Sequence, residues 1–228
     1  MISIVIPTYN EARNITKLVE HLLKNAAGLV SQIIVSDGGS TDDTVEMAAA
    51  AGATVLRSSR KGRAGQMNEG AMLSSGKILY FVHADTLPPV TYATDIIKAI
   101  EEGFGFGRFI TKFDSDMLLL KINAFVTRFD FFICYGGDQT LFMTRDLFDS
   151  IAGFDVSRLI MEDYDIVLRA RPFAGYKIIK EEVLVSARKY QEAGWLKVQM
   201  ANRKAVSMFK AGDDQQDIVD TYKAMLAK

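Results

Sequence analysis

Five short segments carry residue types that could grip a charged ligand and move a proton. The first is His83-Ala84-Asp85-Thr86, which follows the apolar run Lys77 to His83 (KILYFVH). That run reads as a buried strand, so Asp85 stands at its C-terminal end, the edge where open α/β sheets bind ligands. A carboxylate there can hold a divalent cation against a nucleotide diphosphate. The competing reading is an Asx turn or a helix cap ahead of Pro88 and Pro89. Pro7-Thr8-Tyr9-Asn10-Glu11 and Ser36-Asp37-Gly38-Gly39-Ser40 end two further strands at the same edge. Asn10 and Glu11 read as pocket groups or as capping residues. The glycines let backbone approach a ligand, which places Asp37 to accept hydrogen bonds from a base or ribose.

The fourth segment, Arg60-Lys61-Gly62-Arg63, precedes a helix, where basic side chains and free backbone N–H groups make an anion site, unless it is only a solvated loop. In the fifth, Met161-Glu162-Asp163 opens a helix, with Asp165 two residues on. Carboxylates in a first turn ordinarily complement the helix dipole. Proximity to the Asp85 edge would make one of them a general base. No segment is GxGxxG or GxxxxGK, which excludes a dinucleotide fingerprint and a P-loop. Gly103, Gly105 and Gly107 have GxGxG spacing but fall in an expected strand.

The elements that must position these groups alternate along the first hundred residues. Strands are expected at Ile2 to Ile6, Gln32 to Ser36, Thr54 to Arg57 and Ile78 to His83. Helices are expected at Glu11 to Asn25, Thr41 to Ala51 (opened by Ser40), Ala64 to Leu73 and Tyr92 to Glu101. This is the pattern of βαβ units and a parallel sheet. After residue 103 the pattern changes: FGFGRFITKF alternates like a strand of a mixed sheet, and a long helix is expected from Asp114 to about Ile133. A short strand at Thr140 to Met143, helices at Arg145 to Ile151 and Glu162 to Arg171, a strand at Val183 to Ser186 and a helical remainder from Trp195 follow. The expected fold is a three-layer α/β/α architecture with a mostly parallel mixed sheet. Its expected divisions are a nucleotide-binding half (1–103), an acceptor half (104–190) and a C-terminal helical extension (191–228).

With 228 residues, 49% of them apolar and 24% charged, the chain has material for one large core. A net charge of −1 and no Lys/Arg-dense stretch argue against nucleic acid as a partner. The single cysteine, Cys134, lacks the paired spacing of a zinc site and reads as a small buried residue. The first residues already form a strand, so no signal peptide is expected and the cytoplasm is the default compartment. No run is long enough to cross a membrane, because Lys121, Arg128 and Asp130 interrupt the most apolar stretch.

In order, PTYNE, SDGGSTDDT, GRAGQMNEGA, the acid after strand four and the ED pair closely resemble the family 2 glycosyltransferases of GT-A fold, over about residues 1 to 190. HADT, GGDQ at 136–139, MEDYD and SARKY at 186–190 look most like the small branch named for arsenosugar biosynthesis, a label of similarity from which no arsenic chemistry follows. The resemblance implies that Pro7, Tyr9, Glu11, Asp37, Arg60, Arg63, Ala84 and Asp85 form the nucleotide site. It also implies that Asp163, with Glu162 beside it, supplies the catalytic base. Asp85 matches the last acid of the family's DxD metal motif, but His83 stands where the first acid would be. A divalent cation, Mg²⁺ or Mn²⁺, would then rest on Asp85, with His83 as a further ligand. The family's QxxRW element is absent as such; the resemblance implies that Ser186, Arg188, Lys189 and Tyr190 take its place near the diphosphate, with Gln139, Arg188 and Tyr190 as the diphosphate and acceptor residues.

The activity implied is inverting transfer of a sugar from a nucleoside-diphosphate sugar, UDP-linked by expectation, to an acceptor hydroxyl. Two alternatives are a sugar-nucleotide pyrophosphorylase, disfavoured because PTYNE carries neither a glycine-rich loop nor a basic residue, and a silent nucleotide-sugar-binding protein. On the long helix, Leu118, Leu119, Ile122, Phe125, Val126, Phe129 and Ile133 form a broad apolar arc expected to pack on the sheet. Met117, Leu120, Ala124 and Phe131 form a narrow one left for the C-terminal helices, a second subunit or an apolar acceptor. Lys197, Arg203, Lys204 and Lys210 oppose Val198, Ala201, Ala205 and Phe209, the pattern of a membrane-surface helix. Peripheral membrane contact and a homodimer are therefore both expectations.

Overall fold

The computed structural model describes residues 1–60, 62–136 and 140–227. The first half is built from β1 (Ile2–Thr8), α1 (Ala12–Lys24), β2 (Val30–Asp37), α2 (Thr44–Ala50), β3 (Thr54–Arg57), α3 (Arg63–Leu73), β4 (Ile78–Phe81), β5 (Thr86–Leu87) and α4 (Tyr92–Glu101). The second half continues with β6 (Phe106–Phe113), α5 (Leu118–Val126), β7 (Leu141–Thr144), α6 (Arg145–Ser150), α7 (Glu162–Ala170), β8 (Tyr176–Val185), α8 (Arg188–Ala193), α9 (Trp195–Ala211) and α10 (Gln215–Leu226). Among the described residues one sheet runs β3-β2-β1-β4-β7-β6-β8-β5. β1 pairs in parallel with β2 and β4, β7 is antiparallel to β4 and β6, and β6 is parallel to β8. The expected mixed, mostly parallel architecture is therefore observed.

Every residue of β1 is buried, as a strand covered on both faces requires. Successive residues of β1 and β4 point to opposite faces: Ile4, Ile6, Tyr80 and Val82 join one core, while Val5, Leu79 and Phe81 join the other. The helix α1 docks on the first core through Ile15, Leu18, Val19 and Leu22, the stripe its sequence displayed. The expected GxGxG glycines are packing devices: a Cβ at Gly107 would lie 2.2 Å from the Lys177 carbonyl, and one at Gly105 would lie 2.5 Å from Ala174. The helix α9 contributes Val198 to the first core and Ala205 and Met208 to the second.

Three expectations fail here. The residues from Asp114 to Ile133 do not form one helix; α5 ends at Val126, and Phe132–Cys134 is a separate 3₁₀ turn. The apolar arcs are also reversed. Leu120, 1% exposed, is core and Ala124 packs beside it, while Leu118 (69%), Ile122, Phe125 (58%), Phe129 and Ile133 (64%) face solvent. The cause is polar. Arg108, fully buried on β6, donates from Nη1 to the Thr127 carbonyl (2.8 Å) and from Nη2 to the Phe129 carbonyl (3.1 Å). The Thr127 hydroxyl accepts from the Thr111 amide (3.0 Å) and donates to the Ala124 carbonyl (2.6 Å). A buried guanidinium must find acceptors, and the open carbonyls at the end of α5 supply them. That docking rotates the small and narrow side of α5 onto the sheet. Ser40 likewise does not open α2, which begins at Thr44 after Asp43; it binds Asp37 and the Asn10 amide instead.

Candidate active site

The C-terminal ends of β1 and β2 carry two loops that hydrogen-bond to each other. Asp37, 2% exposed, accepts from the Gly39 and Ser40 amides at 2.9 Å each and from the Ser40 hydroxyl. Asn10 accepts from the Thr41 amide (2.8 Å), its own amide donates to Ser40 Oγ (2.8 Å), and the Glu11 amide donates to Thr44 Oγ1 (2.8 Å). Asn10 has φ 56°, a left-handed conformation that asparagine tolerates better than most residues. Asp37 therefore fixes the shape of this edge. Pro7 lies buried at the end of β1 and Tyr9 is exposed on the loop after it.

Two positioning residues carry no signal of their own in the sequence. Gln66 on α3 is buried and donates Nε2 to the carbonyls of Thr8 and Ser36, both at 2.7 Å, tying β1 to β2 just beneath the loops. A Cβ on Gly38 would stand 3.0 Å from that amide, so this glycine is required by close approach. Asn68, two residues further along, holds both backbone groups of Phe154 (2.8 and 2.9 Å). It thereby fixes the segment that leads to α7. A long-range hydrogen bond from a mid-helix amide cannot be read from spacing.

The three acids that open α7 are divided by their partners. Glu162, 1% exposed, pairs with Arg63 Nε at 2.6 Å. Asp165 is held by Arg158 (3.3 Å) and Arg169 (2.6 Å), and Arg169 also donates to the carbonyls of Ile151 and Gly153. Asp163 lines a cavity of about 740 Å³ and lies 3.9 Å from His83 Nε2 at the end of β4. The proximity to the HADT edge that would make an α7 carboxylate a base is thus met by Asp163. Met161, which starts the helix, is buried with φ 68°. A long side chain in that conformation is uncommon and costs about 1–3 kcal/mol. It turns the chain so that α7 begins facing the sheet edge.

The 186–190 segment reaches the same edge because β5 and β8 pair, with Thr86 opposite Val185, and the Ser186 amide donates to the Asp85 carbonyl at 3.2 Å. Asp114 at the end of β6 accepts from the Ala187 amide and anchors the turn. Arg188 then lies 3.5 Å from Glu11, linking the SARKY and PTYNE segments across the crevice. Tyr190 is buried edge-on against Phe113 and lines the cavity. The cavity extends away from Arg63 and Asp163 to Lys189, Asn202, Arg203 and Tyr222, four residues of the C-terminal helices. Arg60 is exposed at the mouth of the β3–α3 loop. Ala84 is buried beside the half-buried Asp85. Gln139, and Lys61 of the basic loop, lie outside the described residues.

Burial, reinforced by the positive charge of Arg63, lowers the His83 imidazole to about 3. The ring is therefore neutral at physiological pH, the form with a lone pair to give a metal. Among the described residues no group of three His, Cys, Asp or Glu side chains is arranged to hold a metal ion. Two protein ligands at most fit a cation that arrives with its phosphates and keeps its waters, as Mg²⁺ commonly does.

The fold belongs to a known class. A glucosyl-3-phosphoglycerate synthase from Mycobacterium tuberculosis, solved with Mn²⁺, UDP and glucosyl-3-phosphoglycerate, superposes with a TM-score of 0.65 at 18% identity, over 99% of this chain and 80% of its own. A mannosyltransferase from Pyrobaculum calidifontis, solved with GDP-mannose and Mn²⁺, superposes with a TM-score of 0.70 at 18% identity, over 92% of this chain and 63% of its own. Both define the fold as GT-A. A PGL/p-HBAD biosynthesis glycosyltransferase of M. tuberculosis is 26% identical over 219 residues, covering 86% of this chain and 78% of its own. The glycosyl transferase family 2 model matches residues 3–136. The chain belongs to that family and is a glycosyltransferase.

Proposed function

We propose that the chain transfers a sugar from a nucleoside-diphosphate sugar to an acceptor hydroxyl in a single in-line displacement with inversion, using Asp163 as general base. The observation that carries this is position: Asp163, in the first turn of α7, lines the cavity and lies 3.9 Å from His83 Nε2 beside the end of β4. The acceptor oxygen bonds to the anomeric carbon as the bond from that carbon to the diphosphate oxygen breaks. The acceptor proton passes to Asp163, and the nucleoside diphosphate leaves with the bonding pair.

The nucleotide lies over the loops after β1 and β2, against Tyr9, Glu11 and the turn held by Asp37. The diphosphate reaches toward Arg60, Arg63 and Arg188, whose charge offsets the negative charge growing on the leaving group. Asp85, assisted by neutral His83, would hold a Mg²⁺ or Mn²⁺ ion, which when bound supplies Lewis-acid stabilisation of that group. UDP is the favoured nucleotide, in keeping with the UDP held by the mycobacterial synthase.

Transfer and donor binding measured separately test the reading. With UDP-glucose and GDP-mannose as probes, Asp163→Asn is expected to leave donor affinity within about twofold of wild type. Transfer or donor hydrolysis should fall by about 10²–10⁴. Turnover within a few-fold of wild type would remove Asp163 from this role, and retention of the donor's anomeric configuration in the product would overturn the single displacement.

A further inference from the structure

The outward arc of α5 and the segment after it make a large unpartnered surface. Leu118, Ile122, Phe125, Phe129, Phe131 and Ile133 are all exposed within sixteen residues. Isolated exposed apolar side chains are ordinary, but a contiguous set of aliphatic and aromatic residues marks a place where something docks. The set is held in position: Phe129 stacks on Phe131 and meets Phe125 edge-on, and Arg108 and Thr127 fix the backbone from below.

This surface runs into the candidate active site. Ile133 belongs to it and also lines the cavity that holds Asp163, as does Val126. With the Asn123 amide turned so that both of its ends are satisfied, its oxygen accepts from Gln199 Nε2 (2.7 Å) and Trp195 Nε1 (3.2 Å), which joins α5 to α9 at the cavity wall. On α9, Leu196, Met200, Arg203 and Lys204 follow one exposed stripe at helical spacing, and Arg203 reaches the cavity. From Trp195 to Ala211 the helix carries Lys197, Arg203, Lys204 and Lys210 and no acid. Acids on or bonded to this segment are paired with cations: Asp116 with Lys121 (3.0 Å), Asp130 with Arg171, and Glu182 with Arg128 (3.3 Å) and Lys112 (3.5 Å).

We propose that this face seats the enzyme on an anionic lipid surface, and that the acceptor is an amphiphile whose hydroxyl-bearing head enters the cavity past Ile133 while its apolar part stays against Phe125 and Phe129. The part concerning the acceptor rests on the role given to Asp163 above; the part concerning the surface does not. Aliphatic and aromatic side chains beside cations suit the boundary between acyl chains and anionic headgroups. Lys and Arg stems lie along the apolar zone while their charges reach phosphate. A second copy docked on the same face about a two-fold axis would turn the cationic stripe toward its own counterpart and close the cavity mouth.

Vesicle flotation without donor or turnover tests the surface independently of catalysis. The probes are phosphatidylcholine vesicles and vesicles with about a third phosphatidylglycerol. Wild type is expected to float with the anionic vesicles and at least tenfold less with the neutral ones. Ile122→Glu with Phe125→Glu should abolish flotation while leaving the melting temperature and UDP affinity unchanged, and Met72→Glu, on an exposed apolar residue of α3, should change nothing. Lys204→Glu alone should narrow the difference between the two vesicle types, a readout that survives if the double variant folds poorly. The proposal is overturned if wild type floats with neither vesicle or if both sets of variants float as wild type does. It is also overturned if wild type scatters light as a dimer that the double variant dissociates, since a second copy then covers the face.

Discussion

The sheet edge after β1 and β2 and the outward face of α5 are built by opposite means. At the sheet edge, loops after β1 and β2 are fixed by local polar contacts: Asp37 to the Gly39 and Ser40 amides, Asn10 to Thr41, and Gln66 to the carbonyls beneath. On the α5 face, buried polar groups fix the backbone from inside and leave the large apolar side chains outside. The first arrangement makes a rigid, polar pocket suited to one kind of ligand head. The second leaves Leu118, Ile122, Phe125, Phe129 and Ile133 exposed.

The comparison is broken most sharply at the point where the two regions meet. Asp163→Asn should remove about 3–5 kcal/mol of transition-state stabilisation with little change in donor affinity, read as kcat against KM. Next in size, Leu120→Ala should cost about 2–5 kcal/mol in a urea melt, because the residue is core. Ile122→Ser, two residues away on the outward arc, should stay within about 0.5 kcal/mol. Equal costs for the two would mean that α5 docks by its other side.

Arg63→Ala should cost about 1–3 kcal/mol, since it leaves the Glu162 carboxylate buried without its cation; the partly exposed position of Arg63 keeps the figure low. Glu162→Gln should recover most of that loss in the double variant. The pH dependence of stability is spread over several pH units and is small within any one of them. His83 is held neutral, with its imidazole at about 3 against 6.5 in its ordinary state. The unfolded chain therefore binds the proton first, and the stability present above pH 6.5 is lost as pH falls toward 3. In the metal-free protein a thermal melt should lose up to about 1.4 kcal/mol per pH unit below 6.5 from this group, and His83→Asn should flatten that part of the profile.

Much of the donor half was legible because its chemistry is local. The β1 to α4 alternation has a strand or helix period throughout, and strands buried on both faces read as unbroken apolar runs. The polar residues PTYNE, SDGGS and HADT had to stand at strand ends because the runs stop there. Only the tertiary structure decided which α7 acid faces the cavity, since Glu162, Asp163 and Asp165 are equivalent in composition until Arg63, Arg158 and Arg169 arrive from elsewhere. The same holds for the Ser186 to Tyr190 segment, brought to the edge by the pairing of β5 with β8.

The residues from 114 to 133 show where periodicity misleads. An apolar arc predicts the buried side of a helix when burial drives the docking. Here the buried Arg108 and Thr111 need the carbonyls and hydroxyl of the α5 terminus, and an unpaired buried cation costs more than an exposed phenylalanine. The sequence by itself determined the family, the order of the elements and the edge at which they place their polar residues, because these follow from local pattern. The orientation of α5, the choice among the α7 acids and the joining of the apolar face to the cavity depend on partners far away in the chain, and hydrogen bonds over such distances leave no period to read.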